Sequence, residues 1–255
     1  MLYGLPMVWI VLTSFKSTGD AVANQASVFF QPTVDAYVAV LTNGGLLPAL
    51  AQSVLICAST TALALAIAIP AAYALSRMNG RLATVLLGLL IVLQMVPQTA
   101  NVIPLFQLFS NVGLLDQTAA VILADTALLT PFAILLLRPF FRAVPAALEE
   151  AAYMDGASSF RSFRSVALPL ATNGIATAGT FVFLIAWGEF LYAVNFFISP
   201  EKYPLSAILA QQVSVYGINW PGLMAVAVVT SLPILLLFVF TYRFLREGLT
   251  MGAVK

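Results

Sequence analysis

The chain has 255 residues, of which 61% are hydrophobic and 8% charged, and its net charge is +1. Soluble domains carry about 25% charged and about 45–50% apolar residues, so this composition excludes an ordinary soluble fold, and the balanced charge gives no reason to expect a nucleic acid partner. No charge falls between Asp35 and Arg77, between Arg81 and Asp116, or between Lys202 and Arg243. A spanning helix needs about 20 apolar residues, so each interval has room for a span, and the chain reads as an all-α integral membrane protein.

Six hydrophobic segments follow one another. The first, residues 1–15, is about 22 Å long as a helix, against a hydrocarbon core of about 30 Å. It lacks the basic leader and small-residue cleavage site of a secretory signal, and reads as a first helix whose N-terminal turns are missing. The others cover 49–76, 82–109, 118–138, 168–198 and 222–245. Pro70, Pro97, Pro131 and Pro233 fall inside them, and each is expected to kink its helix. The connection 16–48 is long and polar and carries no readable motif. There is no internal repeat or linker, so residues 1–255 read as one transmembrane domain.

Basic residues sort the two sides. Connections after the second, fourth and sixth segments hold Arg77, Arg81, Arg138, Arg142, Arg161, Arg164, Arg243, Arg246 and Lys255; the others hold only Lys16 and Lys202. The positive-inside rule then puts both termini in the cytoplasm.

Several chemistries are excluded. Without histidine there is no Ser-His-Asp triad, no HExxH zinc site and no imidazole ligand for haem. The single cysteine, Cys57, lies in an apolar run and reads as a small buried hydrophobe. No lysine follows a glycine, so the chain holds no phosphate loop, and any ATP is hydrolysed on another chain.

The informative stretch is the connection between the fourth and fifth segments, an elbow at about 142–169. Pro145 suits a first helical turn, and Glu149 and Glu150 sit near its positive end. Gly156 is placed to end that helix in a left-handed cap, and Ser158 or Ser159 to cap a second short helix. Leu168-Pro169 then opens the next span. Ala151 and Ala152 are small enough for close docking into a partner groove.

Glu150-Ala151-Ala152, three residues, Gly156, nine residues, Val166, one residue, then Leu168-Pro169 resembles the EAA signature of ABC-importer permeases. Trp187-Gly188-Glu189-Phe190-Leu191, the tail 246–255, Ser14-Phe15-Lys16 and 71–77 are similar to the carbohydrate subgroup, the partner permease of maltose-type importers. The resemblance implies a six-helix, MetI-like type I importer permease of the inner membrane, a transport subunit rather than an enzyme. It also implies a second, non-identical permease, a cytoplasmic ATPase dimer carrying ATP and Mg, and an extracytoplasmic solute-binding protein, with no cofactor or metal on this chain. Glu149, Glu150, Ala151, Ala152, Asp155, Gly156, Leu168 and Pro169 are then the expected ATPase-coupling residues. An importer for another solute, such as an amino acid or phosphate, shares the elbow. A channel or ion-coupled carrier has no reason for it.

Two acids, Asp125 and Glu189, fall within spans. A carboxylate at a helix centre costs about 2.5–3.5 kcal/mol by insertion scales, so each is expected to face protein or water. They either line a solute pathway or pin helices together. Gln94, Gln98 and Asn101, on one stripe of the third segment, are placed to bond sugar hydroxyls or to join helices. Trp187 offers an apolar ring face, and Asn195, about 120° from Glu189 on a regular helix, completes the candidate pathway.

Overall fold

The computed structural model describes residues 4–23, 27–43, 45–211, 213–214 and 217–251. Most of them are helical. A short apolar helix α1 (Gly4–Ser14) precedes α2 (Thr18–Ala23) and α3 (Asp35–Asn43). These last two lie in the long polar connection 16–48, in which the sequence carries no readable motif. Then come α4 (Leu46–Arg77), the pair α5 (Arg81–Met95) and α6 (Gln98–Asn111), and α7 (Thr118–Ala143).

The elbow comprises α8 (Ala146–Met154), α9 (Ser159–Ser162), a π-helical turn (Phe163–Ala167) and α10 (Leu168–Leu170). After it run α11 (Thr172–Trp187), α12 (Leu191–Phe196), α13 (Leu205–Gln211) and α14 (Trp220–Met251). A two-residue antiparallel pairing of β1 (Val213–Ser214) and β2 (Gly217–Ile218) joins the last two helices.

Among the described residues, three helical stretches are long and apolar enough to cross a membrane unbroken: Leu46–Arg77, Thr118–Ala143 and Trp220–Tyr242. With 32 residues, α4 is about 48 Å long, well beyond the hydrocarbon core. Pro70, Pro131, Pro139 and Pro233 are all accommodated inside these helices.

The third and fifth segments are broken instead. The helix axis turns by 89° between α5 and α6. Val96 is extended and Pro97 caps α6, because proline lacks the amide hydrogen and pushes its predecessor out of the helical region. The fifth segment turns by 73° at Ala171, so the membrane helix starts at Thr172 rather than at Leu168-Pro169. It breaks again at residues 188–190. In the tail, α14 runs on through Gly248 to Met251, and residues 252–255 lie outside the described residues.

Packing follows residue size. Ala64, Ala68 and Ala72 recur every fourth position on α4 and are completely buried, in one core with Ala133, Leu137 and Phe141 of α7 and Ala178 and Val182 of α11. Residues four apart share a helix face, and lipid tails are as apolar as leucine, so close backbone approach at small residues is what holds membrane helices together. Accordingly α4 packs along α7, with α11 against both. Cys57 is buried in the same core, as a small hydrophobe.

Gly174 of α11 marks the tightest approach. A β-carbon there would collide with the Phe140 ring on α7. Gly174→Ala is expected to destabilise the protein by about 1–3 kcal/mol through overpacking, and Phe140→Ala in the same chain to recover part of it. Thermal unfolding in detergent checks this; an unshifted Tm for Gly174→Ala would refute the close approach.

Candidate functional site

The elbow is built largely by local signals. Gly156 has φ 81°, a left-handed conformation that glycine adopts freely. Around it the Ala157 N–H donates to the Ala152 carbonyl (2.9 Å) and the Gly156 N–H to the Tyr153 carbonyl (3.0 Å), which closes α8 in a Schellman motif. Ser158 accepts from the Arg161 N–H at 3.3 Å and starts α9. Pro145 stands at the N-cap of α8, one position before its first turn.

The two elbow glutamates, adjacent in sequence, part ways. Glu150 is exposed, as are Ala151, Asp155 and Gly156, while Ala152 is half-buried. Glu149 is only 5% exposed and points back to α4. Its Oε1 takes the Arg77 guanidinium, through Nε at 3.1 Å and through a close ion pair with the terminal nitrogen. Its Oε2 accepts from the Tyr73 hydroxyl at 2.8 Å. Arg77 also donates to the Val144 carbonyl at 3.2 Å, and the Tyr73 ring packs on Phe163 and Phe141. Removing one partner of a buried pair typically costs about 3–5 kcal/mol, because the other charge is left uncompensated. Glu149 therefore anchors the elbow instead of presenting itself to a partner.

The outer face of the elbow is different in kind. Met154 (88%) and Phe160 (70%) are exposed on the elbow, as Glu150 is. Ala152, Asp155 and Arg161 line a groove of about 270 Å³ between α8 and the following turn. Leu168 is half-buried and Pro169 exposed.

A second cluster gathers at the helix breaks. Glu189 sits between α11 and α12 and caps α12. Its Oε1 accepts from the Tyr192 N–H (2.6 Å) and from Gln98 Nε2 (3.1 Å), and its Oε2 accepts from the Ala193 N–H (3.2 Å). Amide hydrogens freed by the break thus find an acceptor within the chain, as a membrane interior demands.

Around Glu189 the expected pathway residues are rearranged. Gln94, Gln98 and Asn101 do not form one stripe, because the 89° bend separates Gln94 on α5 from the other two on α6. Gln94 donates to the Leu128 carbonyl at 3.0 Å. Asn101 neighbours the Tyr192 hydroxyl and lines, with it, a largely apolar cleft of about 290 Å³ beside α5, α6 and α7. Trp187 is buried at 5%, stacked on Phe183 and donating to the Thr230 carbonyl (3.2 Å), so its ring is packed between helices. Asn195 is exposed but folds back on the Leu191 carbonyl at 2.7 Å. Trp187 and Glu189 do meet at a small cavity with Ser53 and Cys57. Asp125 is 1% exposed, within electrostatic reach of Glu189, and neither oxygen has a hydrogen-bond partner among the described residues.

One polar clamp was not singled out in the sequence. Asp116 has φ 60°, which Asp tolerates better than most residues, and gathers the chain near residue 200. It accepts from the Ile198 and Ser199 N–H groups (2.9 Å each), the Ser199 hydroxyl (2.8 Å) and Lys202 Nζ (2.7 Å). Lys202, then Ser199 and Ile198, hold its carboxyl well below the usual carboxylate range. The sequence signal was slight: an acid and a lysine at the two ends of uncharged intervals.

Residues 64–250 match the family of binding-protein-dependent transport system inner membrane components, and the chain belongs to that family. It is a transport component of the ABC-importer type. It is 32% identical over 254 residues to a probable ABC transporter permease of Sinorhizobium fredii, covering 100% of this chain and 91% of that protein. It is also 32% identical to the sulfoquinovosyl glycerol transport system permease of Agrobacterium fabrum (98% and 88% covered) and to the trehalose transport system permease of Mycobacterium tuberculosis (98% and 92%). In fold it is similar to a solved bacterial ABC transporter that imports alginate, at TM-score 0.70 and 14% identity, with 97% of this chain and 90% of that chain covered.

The Asp116 clamp carries a pH signature. A depressed carboxyl contributes stability that is complete above about pH 4, the ordinary carboxylate value, and is lost as pH falls through the lower folded value. Asp116→Asn should therefore lower the Tm at neutral pH, and the gap from the native chain should close in acid. A gap of constant size down to the lowest accessible pH would contradict this.

Proposed function

We propose that this chain is the permease subunit of an importer for a carbohydrate or carbohydrate derivative, forming one transmembrane domain over residues 1–255. The observation that carries the reading is the family membership joined to relatives that transport sulfoquinovosyl glycerol and trehalose and that align over 98% of the chain. A second, non-identical permease completes the pathway, a solute-binding protein delivers the solute, and a separate ATPase dimer binds ATP and Mg. A solved alginate importer in complex with its periplasmic protein supports delivery by a solute-binding protein, by fold alone. The asymmetry of Arg and Lys between the two ends supports both termini, and the elbow, facing the cytoplasm.

In this reading the outer face of α8 docks on the ATPase. Glu150 supplies a charge for a basic residue there, and Met154 and Phe160 supply apolar area that exposed surfaces seldom carry without a partner. Ala151, Ala152, Asp155 and Gly156 shape the contact, and Leu168 and Pro169 lead back into the membrane. The solute passes beside the break that holds Glu189, Gln98, Asn101 and Tyr192. Their amides, carboxylate and hydroxyl match sugar hydroxyls, and the neighbouring cleft is apolar enough to take a ring face. Asp125 backs this corner from within α7.

The test is retention of the ATPase. Glu150→Ala should reduce its co-purification by about fivefold or more, a charged contact at an interface being worth about 1–3 kcal/mol. The permease should stay in the membrane in normal amount. Undiminished ATPase recovery from both Glu150→Ala and Gly156→Val would refute the docking face.

A further inference from the structure

Glu149 turned inward gives the elbow a second connection to the membrane domain, beyond its chain junctions with α7 and α11. We propose that Glu149 is a positioning residue whose clamp on Arg77 and Tyr73 makes α8 and α4 move as one body, so that displacement of the elbow reaches the Glu189 corner through α4. This rests on the reading of the elbow as the ATPase contact, and adds the route that the motion takes from there.

The geometry at the near end is a closed polar knot. Both Glu149 oxygens are engaged, Oε1 by Arg77 and Oε2 by Tyr73. Tyr73 and Arg77 are four residues apart on the last turns of α4, so both reach the same side of the helix. Arg77 also ties down the Val144 carbonyl just before α8, and Arg138 of α7 donates to the Leu75 carbonyl at 3.2 Å. The Tyr73 ring is held by Phe141 and Phe163, one on either side of α8 in sequence. With Oε1 held by two guanidinium nitrogens and Oε2 by the Tyr73 hydroxyl, the carboxylate is fixed in orientation as well as distance, so rotation of α8 is passed on and not absorbed.

The far end of α4 is equally committed. Ser53 accepts from the Leu205 N–H at 2.8 Å, and Gln52 donates to Thr118 at 2.7 Å. Ser53, Ile56 and Cys57 line the small cavity that also holds Glu189 and Trp187. Between the two ends α4 is a continuous helix, packed along its alanine face against α7. A rigid element fastened at both ends is what a displacement needs to travel from one to the other.

The test uses the assembled complex of both permeases, ATPase and binding protein, with Cys57→Ala in this chain. Spin labels are placed at Leu148→Cys on α8, outside the docking residues, and Leu55→Cys on α4, and the distance is compared without nucleotide and after trapping with Mg-ATP and vanadate. The native clamp predicts one distance in both states. Glu149→Gln, and the milder Tyr73→Phe, should make the distance change on trapping, and should lower solute transport per ATP hydrolysed by about tenfold for Glu149→Gln, within the usual range of coupling free energies. Exchange of the pair, Glu149→Arg with Arg77→Glu, should restore the constant distance. If Glu149→Gln fails to assemble, Tyr73→Phe decides. A distance that changes on trapping in the native complex, or one that stays constant in the variants, overturns the clamp. Only complexes that have kept the ATPase are measured, so failure of the docking face appears as lost ATPase and is distinct from failure of the clamp.

Discussion

A carboxylate withdrawn from water has to be paired, and the structure is organised around the place where Glu149 is. Arg77 and Tyr73 at the end of α4 meet it from one side, and Val144 shares the same guanidinium. This knot sets how α8 lies against the membrane domain, and so which of its residues face outward. With Glu149 held inward, Glu150 and Met154 are left on the free surface. Most of the elbow's exposed chemistry follows from that single pairing.

The second organising constraint is the lack of water inside a bilayer. Broken helices there must satisfy their freed backbone groups within the protein. The break after α11 does so with Glu189, whose carboxylate takes the N–H groups of Tyr192 and Ala193 and the Gln98 amide. The bend at Pro97 costs no amide hydrogen at the proline itself, and it carries Gln98 and Asn101 toward that same corner. Two irregularities thus meet where the polar side chains gather. The account needs no unusual residue to explain a polar corner between apolar helices.

The elbow was legible in the sequence because its signals are local. Gly156 needs only its own backbone conformation, and Ser158 only the amide three residues on. The three unbroken spans, α4, α7 and α14, were legible for the same reason, since each is a long, predominantly apolar run, whereas the third and fifth segments are interrupted by bends that spacing does not announce. What sequence spacing could not supply is which side of a helix meets which neighbour. Nothing local distinguishes Glu149 from Glu150, whose separation into buried and exposed depends on Arg77, far away in sequence. The signal available was Tyr73 and Arg77 four apart at a helix end, two polar tips with no stated partner. Gln94, Gln98 and Asn101 form a stripe only on a straight helix, which Pro97 interrupts, and Trp187 finds its donor's acceptor on α14. Each of those outcomes is tertiary.

The most direct measurement of the central claim, that the outer face of α8 is the cytoplasmic contact for the ATPase, is accessibility of a single cysteine at Met154, which is 88% exposed. Met154→Cys with Cys57→Ala is treated with a membrane-impermeant maleimide in sealed vesicles of either orientation. The account predicts labelling only when the cytoplasmic face is outward, and protection once the ATPase is bound. Labelling from the opposite face, or labelling that bound ATPase leaves unchanged, would contradict it.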